Sequence, residues 1–486
     1  MTALAPRNWV LVPSVIIVSL AYGALVATLP LIAVGLLGSV LLLGLAFAAP
    51  VTHLALLLFG TGIVPFDILN AFGIGGGADS PGLIVTDLLL LGGILRAGLL
   101  LSAQRLSQRP LIIGALLAGF IAVVALQFMH GLLLGGSPGD VGAEARILFA
   151  IATFFVAVAL LSDQKQRDRL LRALLVLGLL LGTWGIAQWL LKLDFSTTGD
   201  FGVREGVGLT TAGEGQLQGG LFGYPVATVI AFAALLSADT RSLAARLGLF
   251  AVVVLNATSL LLTFERTFWV ATVLGLAFVA VRSGRAQRLK AVFAIFGTAV
   301  LVFVVFSTVA PGQLQTARER LLSVGQYGTD DSLRYRRVES RHVAEQIRER
   351  PIAGSGLAAT IHWGRPWQQV PPRTVRYTHN GYLSLVWRLG LPGALLIFAV
   401  LVWSIISRPP PGETPRSLAV RNGCQAALLV LAVGNVTFPT FSGLSIMPVI
   451  GVLLALVATS TRSQPEDLTR PSAEATRSSV NPLAPV

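Results

Sequence analysis

NGYLSLVWRLGLPGALLIFAVLVWSII, residues 380–406, decides the fold of this chain. Arg388 is its one charged residue. The apolar positions run on continuously, with no alternation, and the run exceeds the roughly 20 residues that carry a helix across a bilayer. Strands of a membrane barrel alternate apolar and polar residues, so a barrel is excluded. Similar runs recur on both sides of this one. The reading gives fourteen spans, near 10–29, 31–49, 51–69, 83–101, 110–129, 144–162, 170–191, 217–237, 244–263, 267–282, 289–310, 380–406, 418–437 and 443–460. The third is broken by Pro65 and Asp67, and the tenth is short, so twelve to fourteen are expected.

Composition agrees. Of 486 residues 54% are hydrophobic and 12% charged, against roughly 25% charged in soluble domains; mean hydropathy is +0.76. A soluble enzyme and a disordered chain are both excluded. Cys424 is the single cysteine, which excludes a disulfide framework and a cysteine-built zinc site. No His or carboxylate cluster has metal-ligand spacing, and no metal or cofactor is expected. The net charge of +13 rests almost wholly on arginine.

Basic residues near span ends set the orientation. The connections at 96–109, 163–169, 239–246, 282–290 and 408–416 are rich in Arg and Lys and should be cytoplasmic. Those near 70–82, 130–143 and 438–442 contain neither and should face outward. Both termini then lie inside. Met1–Trp9 leads straight into a span, so no cleavable signal is expected. Four regions follow: N-terminal membrane helices over 1–310, a large outer loop over 311–378, C-terminal membrane helices over 379–460, and a disordered cytoplasmic tail over 461–486.

The outer loop carries eleven arginines, and long loops cross regardless of charge. Helical spacing predicts one helix over 313–326 and a second over 332–350, begun by Asp330, Asp331 or Ser332 and stopped by Pro351. Gly354-Ser355-Gly356 makes a turn, and the remainder to Thr378 reads as irregular. Arg334, Arg337, Arg341 and Arg348 fall roughly on one helical face, with Glu339, Glu345 and Glu349 as ion-pair partners. That face is either a solvated, ion-paired surface or an anion site, since arginine's planar fork binds phosphate oxygens in pairs. Asp87, inside the fourth span, calls for a partner, and Arg388 is the candidate.

RYRRVESRHVAEQIRERPIAGSG (334–356), with its arginine, helix and Pro-hydrophobic-x-Gly-x-Gly turn, and THNGYLSLVWRLGLPGALL (378–396), with its HN-x-Y-L…G-x-x-G pattern, resemble the O-antigen ligase and polymerase superfamily. The resemblance implies an all-α, GT-C-like polytopic membrane protein with a helical outer loop before its last three spans. It implies a bacterial plasma-membrane enzyme that moves a glycan from undecaprenyl pyrophosphate to a lipid or glycan acceptor at the outer face. Transfer inverts the anomeric centre and uses no metal. Its partners are the lipid-linked donor, the acceptor and membrane lipids, not nucleic acid.

The resemblance also implies site residues. His379 matches the loop histidine, and a histidine titrates near neutral pH, as a general base requires. The alternative for His379 is a helix-capping role. Asn380 belongs to the same pattern. Arg266, in LLTFERTFWVA (261–271), matches the Thr-x-Ser-Arg segment, with Glu265 in the serine's place as a possible second base; the alternative is an interfacial anchor beside Trp269. Arg336 aligns with the loop arginine, and Arg334 and Arg337 compete for that role; Ser340 stands where an aromatic residue is usual. Arg204 substitutes for an arginine normally nearer GGLFGYP (219–225). The competing class is a transporter or flippase of lipid-linked glycans, which would show internal repeats. None is found, and a long loop ending at His379 favours an enzyme.

Overall fold

The computed structural model describes residues 30–62, 85–102, 107–191, 223–237, 242–309, 331–365, 370–376 and 378–459, with isolated positions between 311 and 318. The expected first span, nearly all of the expected helix over 313–326, Arg204 and the C-terminal tail lie outside the described residues.

The described chain is almost all helix. In order come α1 (Pro30–Ala48), α2 (Pro50–Gly62), α3 (Val85–Leu101), α4 (Gln108–Leu133), α5 (Pro138–Phe149), a 3-10 turn (Ala150–Ala152), α6 (Thr153–Leu161), α7 (Gln164–Leu191), α8 (Gly223–Leu235), α9 (Leu243–Leu262), α10 (Arg266–Arg282), α11 (Arg285–Val309), α12 (Asp331–Glu349), strands β1 (Ile361–Arg365) and β2 (Val370–Val375), α13 (Gly381–Ile406), α14 (Pro415–Gly434) and α15 (Met447–Ala458). Seven helical segments among the described residues are long and apolar enough to cross a membrane: Gln108–Leu133, Pro138–Leu161, Gln164–Leu191, Leu243–Leu262, Gln287–Val304, Gly381–Ile406 and Pro415–Gly434. Three shorter apolar helices, α2, α8 and α15, accompany them. The protein is an all-α polytopic membrane protein.

α15 is buried from Met447 to Ala458, apart from Val449. At 12 residues it spans about 18 Å, too short to cross alone. Apolar all round, it lies inside the bundle against α6 and α14. α7 and α9 meet through small residues: Asn256 donates to the Gly178 carbonyl (2.8 Å) and Ser259 to that of Gly182 (3.1 Å). Glycines four apart let the backbones approach closely enough for these bonds.

Two sequence readings change. The span expected at 144–162 begins at Pro138, because Ser137 caps it by accepting from the Asp140 N–H (3.1 Å) and Pro138 fits the first turn. The 3-10 turn at Ala150–Ala152 then interrupts it. The stretch expected to be irregular before Thr378 contains an antiparallel hairpin, pairing Ile361 with Val375 and Trp363 with Arg373. Neither strand repeats a clean apolar alternation, which hid the hairpin.

Candidate functional site

α12 is the element that organises the surroundings of His379. Its exposed face carries Arg334, Arg337, Arg341 and Arg348. Its inward face carries Tyr335, Glu339 and Val343, four residues apart. Tyr335 and Val343 share a small core with Ile361 of β1 and Trp387 of α13. Trp387 donates through its indole N–H to Gln346 Oε1 (2.6 Å), which fastens α12 to α13.

Glu339 lies between these apolar residues and is fully buried. It accepts from the His379 backbone N–H (2.7 Å) and from Thr378 Oγ1 (3.1 Å). The Nδ1 of His379 stands 3.1 and 3.2 Å from its two oxygens. The Tyr335 ring meets the imidazole edge-on at 5.2 Å. The imidazole is thus oriented from two sides, by the Glu339 carboxylate and the Tyr335 ring, while keeping 12% of its surface exposed. Asn380 caps α13, its Oδ1 accepting from the Tyr382 and Leu383 N–H groups (3.1 Å each). The capping role considered for His379 therefore belongs to Asn380.

The ion pair expected of Glu339 along α12 is also corrected. Glu339 turns inward to His379, and Glu345 sits 3.4 Å from His342. A carboxylate on the apolar stripe of a helix cannot reach arginines on the opposite face. Arg336 stands on the flank, one turn before Glu339. It is half-buried, and its Nε is buried without a hydrogen-bond partner.

Arg266 begins α10, directly after a tight turn in which Phe264 takes φ 54°, uncommon for a side-chain-bearing residue. Glu265 occupies the cap position without a side-chain cap bond. Trp269 is anchored back to the Leu260 carbonyl (3.0 Å), so the turn is held from both sides. Thr267 and Thr437 are hydrogen-bonded at 2.7 Å, and the Phe268 and Phe438 rings pack edge-on at 6.3 Å. The same turn after α14 holds the start of α13: the Gly381 N–H donates to the Asn435 carbonyl (2.9 Å), and Tyr382 packs on Phe441. A side chain at position 381 would collide with Asn435. The N-terminal ends of α10 and α13, carrying Arg266 and His379, are thus gathered at one end of the bundle by residues 434–441.

Behind the site, Pro351–Ala358 folds inward between helices. Gly354 and Gly356 have φ 68° and 82°. A Cβ at Gly354 would meet the Arg388–Gly390 backbone, and one at Gly356 would meet Gly131. α13 is broken at Gly390 (φ 67°), just before Pro392. The inward turn satisfies the backbone groups around this break: Ser355 N–H donates to the Trp387 carbonyl (2.7 Å) and Leu391 N–H to that of Pro351 (2.9 Å). Irregular backbone inside a membrane protein persists where protein covers it in this way. Gln127 of α4 donates to the Ala353 carbonyl (2.6 Å), and Glu144 of α5 accepts from the Ala358 N–H (2.8 Å).

Glu144 also pairs with Arg388 (3.1 Å), both buried. Arg388 donates to Ser384 Oγ (3.0 Å) and to the Arg376 carbonyl, while Arg376 pairs with Asp140. The partner expected for Asp87 is therefore wrong. Asp87 pairs with Arg146 (3.0 Å), and Arg388 is taken by Glu144. Glu339 as the histidine's partner, Glu144 and Gln127 went unread in the sequence, although an ionisable residue within an apolar run was the available signal for Glu144. Among the described residues no group of three or more His, Cys, Asp or Glu is placed to hold a metal.

Residues 251–398, just under a third of the chain, match the family model for O-antigen ligase. The matched segment contains Glu265, Arg266, Arg336, Glu339 and His379. It supports the O-antigen ligase superfamily and a membrane glycosyltransferase of the ligase or polymerase type. No curated protein matches the chain.

Proposed function

We propose that this protein transfers a glycan from undecaprenyl pyrophosphate to a sugar hydroxyl of a lipid or glycan acceptor, at the outer face of the plasma membrane. The observation that carries this reading is the Glu339–His379 pair, set at the start of α13 on the same end of the bundle as Arg266. A sugar hydroxyl is a weak nucleophile, and pyrophosphate is already a good leaving group. The protein's task is to take a proton from the first and stabilise charge on the second.

In this reading Glu339 holds the Nδ1 proton of His379, as the carboxylate of a catalytic triad does, so Nε2 accepts the proton of the acceptor hydroxyl. The acceptor oxygen attacks the anomeric carbon opposite the leaving group. The bond from that carbon to the pyrophosphate oxygen breaks, its electron pair leaves with the phosphate, and the configuration inverts. Arg266 meets the developing charge, with Arg336 supplying an unoccupied guanidinium edge. Arg334, Arg337, Arg204 and Asn380 contribute to donor and glycan binding, and Glu265 is the reserve base. No metal takes part. Both termini lie in the cytoplasm.

The test is a purified assay with lipid-pyrophosphate glycan and candidate acceptors, in which donor affinity and turnover are measured for Arg266→Ala and His379→Ala in one detergent. The arginine change should weaken donor binding, and the histidine change should spare it while removing turnover. If His379→Ala loses donor binding as badly as Arg266→Ala and bound donor still turns over, His379 is a positioning residue and Glu265 becomes the base.

A further inference from the structure

At the opposite end of the bundle a second set of charges is buried. Arg421, in the second turn of α14, is 1% exposed. Its Nη2 donates to Ser407 Oγ (2.9 Å), but Nε and Nη1 are buried without hydrogen-bond partners. The carboxylate it faces, Glu413, lies 3.8 Å from Nη1, too far to accept a hydrogen bond, and its Oε1 is already taken by Ser417 Oγ (2.7 Å). Arg109, at the start of α4, also keeps Nη1 buried and unpartnered. Arg282, at the end of α10, lies over the Phe278 ring (5.0 Å) and donates to the Ile406 carbonyl at 3.5 Å, and among the described residues it has no carboxylate partner. The charges of Arg109 and Arg282 both bear on Arg421. Beside them Arg167 is buried but satisfied, donating to the Thr459 carbonyl (2.8 Å) and Ser417 Oγ (3.0 Å).

This is an imbalance of charge and of hydrogen bonds together. Around Arg421 three guanidinium groups meet one carboxylate, and the donors left over belong to two edges of one planar fork. Buried donors without acceptors are costly, and a buried cation without a counter-ion more so. A phosphate group answers both deficits: its charge balances the cations, and its oxygens accept from the free guanidinium N–H groups. The orientation rule places these helix ends on the cytoplasmic side, at the depth of lipid headgroups, where the leaflet is anionic.

We infer that the arginine cluster at the ends of α4, α10, α13 and α14 binds a phosphate group on Arg421, Arg109 and Arg282, with an anionic phospholipid headgroup of the cytoplasmic leaflet as its source. The site is independent of the transfer reaction.

The full-length protein is stripped of lipid in detergent, and thermal unfolding and bound lipid phosphorus are followed on adding phosphatidylglycerol, phosphatidylcholine or inorganic phosphate. Phosphatidylglycerol should stabilise it saturably and phosphatidylcholine should not. Arg421→Gln should weaken that response at least about tenfold. Arg109→Gln and Arg282→Gln, at half-buried positions that tolerate change better, should weaken it in the same direction. Arg266→Ala should leave it intact. Equal stabilisation by inorganic phosphate supports the site but assigns it to a free anion. No response to either phosphate source, an undiminished response in all three cluster variants, or a response lost in Arg266→Ala overturns the proposal.

Discussion

Two buried carboxylates find basic partners nine residues apart in sequence, His379 just ahead of α13 and Arg388 within it, and the pairs differ in what the basic partner can do. Glu339 and His379 meet at the entrance of α13, with the histidine 12% exposed. Glu144 and Arg388 meet further along it, with both side chains buried. An imidazole nitrogen can accept a proton from a substrate hydroxyl, whereas a guanidinium has no acceptor to offer. The first pair is therefore suited to chemistry and the second to architecture: Glu144 and Arg388 bind the inward turn at Ala358 and the loop carbonyl of Arg376. A buried carboxylate opposite a base is not by itself a sign of catalysis. Accessibility and the partner's ability to accept a proton decide.

The sharpest way to break this contrast is His379→Ala. Removing a general base should slow transfer by about 10²–10⁴-fold while the protein folds and binds donor; turnover of bound donor near the native rate would erase the distinction. Arg388→Met should do the opposite. Leaving Glu144 buried and unpaired is expected to cost about 3–5 kcal/mol of stability. Thermal unfolding in detergent would show the loss, and the double variant Glu144→Leu with Arg388→Met should recover most of it. If the double variant is as unstable as the single one, the pair is not what holds the turn.

Glu339→Gln tests the first pair from its other side. The amide keeps the shape but cannot hold the imidazole as a carboxylate does, and turnover should fall by roughly 10²-fold, the lower end of base catalysis, with donor affinity preserved. A loss of folding instead would move Glu339 into the architectural class. Arg266→Lys keeps the charge but loses the planar fork, so transfer should fall at least roughly tenfold, about 1.4 kcal/mol, with normal insertion. The smallest effect is expected from Arg341→Gln, on the exposed face of α12. Stability should change by less than about 0.5 kcal/mol, and a large drop in donor affinity would show that this face, too, meets substrate.

Much of this arrangement is readable from the chain. The apolar runs mark the membrane class, and the period of 332–350 predicts α12, found at Asp331–Glu349. HN-x-Y-L points to His379 before a helix start, and the PIAGSG turn acquires a physical reason in the close approaches of Gly354 and Gly356. The hairpin at 361–375 escaped because its strands lack alternation, and Asp87 was matched to the wrong arginine because depth along a helix cannot be read to within a turn from hydropathy.

Hydropathy and helical period are local quantities, summed over neighbouring residues, and they alone determined the membrane class and the helix α12. Pairing is not local. Glu339 lies 40 residues from His379, and on its own helix it reads as one more member of a surface ion-pair network. Only packing α12 on the start of α13 turns that carboxylate inward and gives the histidine its partner. Only the fold, likewise, brings Glu144 of α5 to Arg388 of α13, because an ion buried in a low-dielectric interior must find a counter-charge wherever the helices happen to cross.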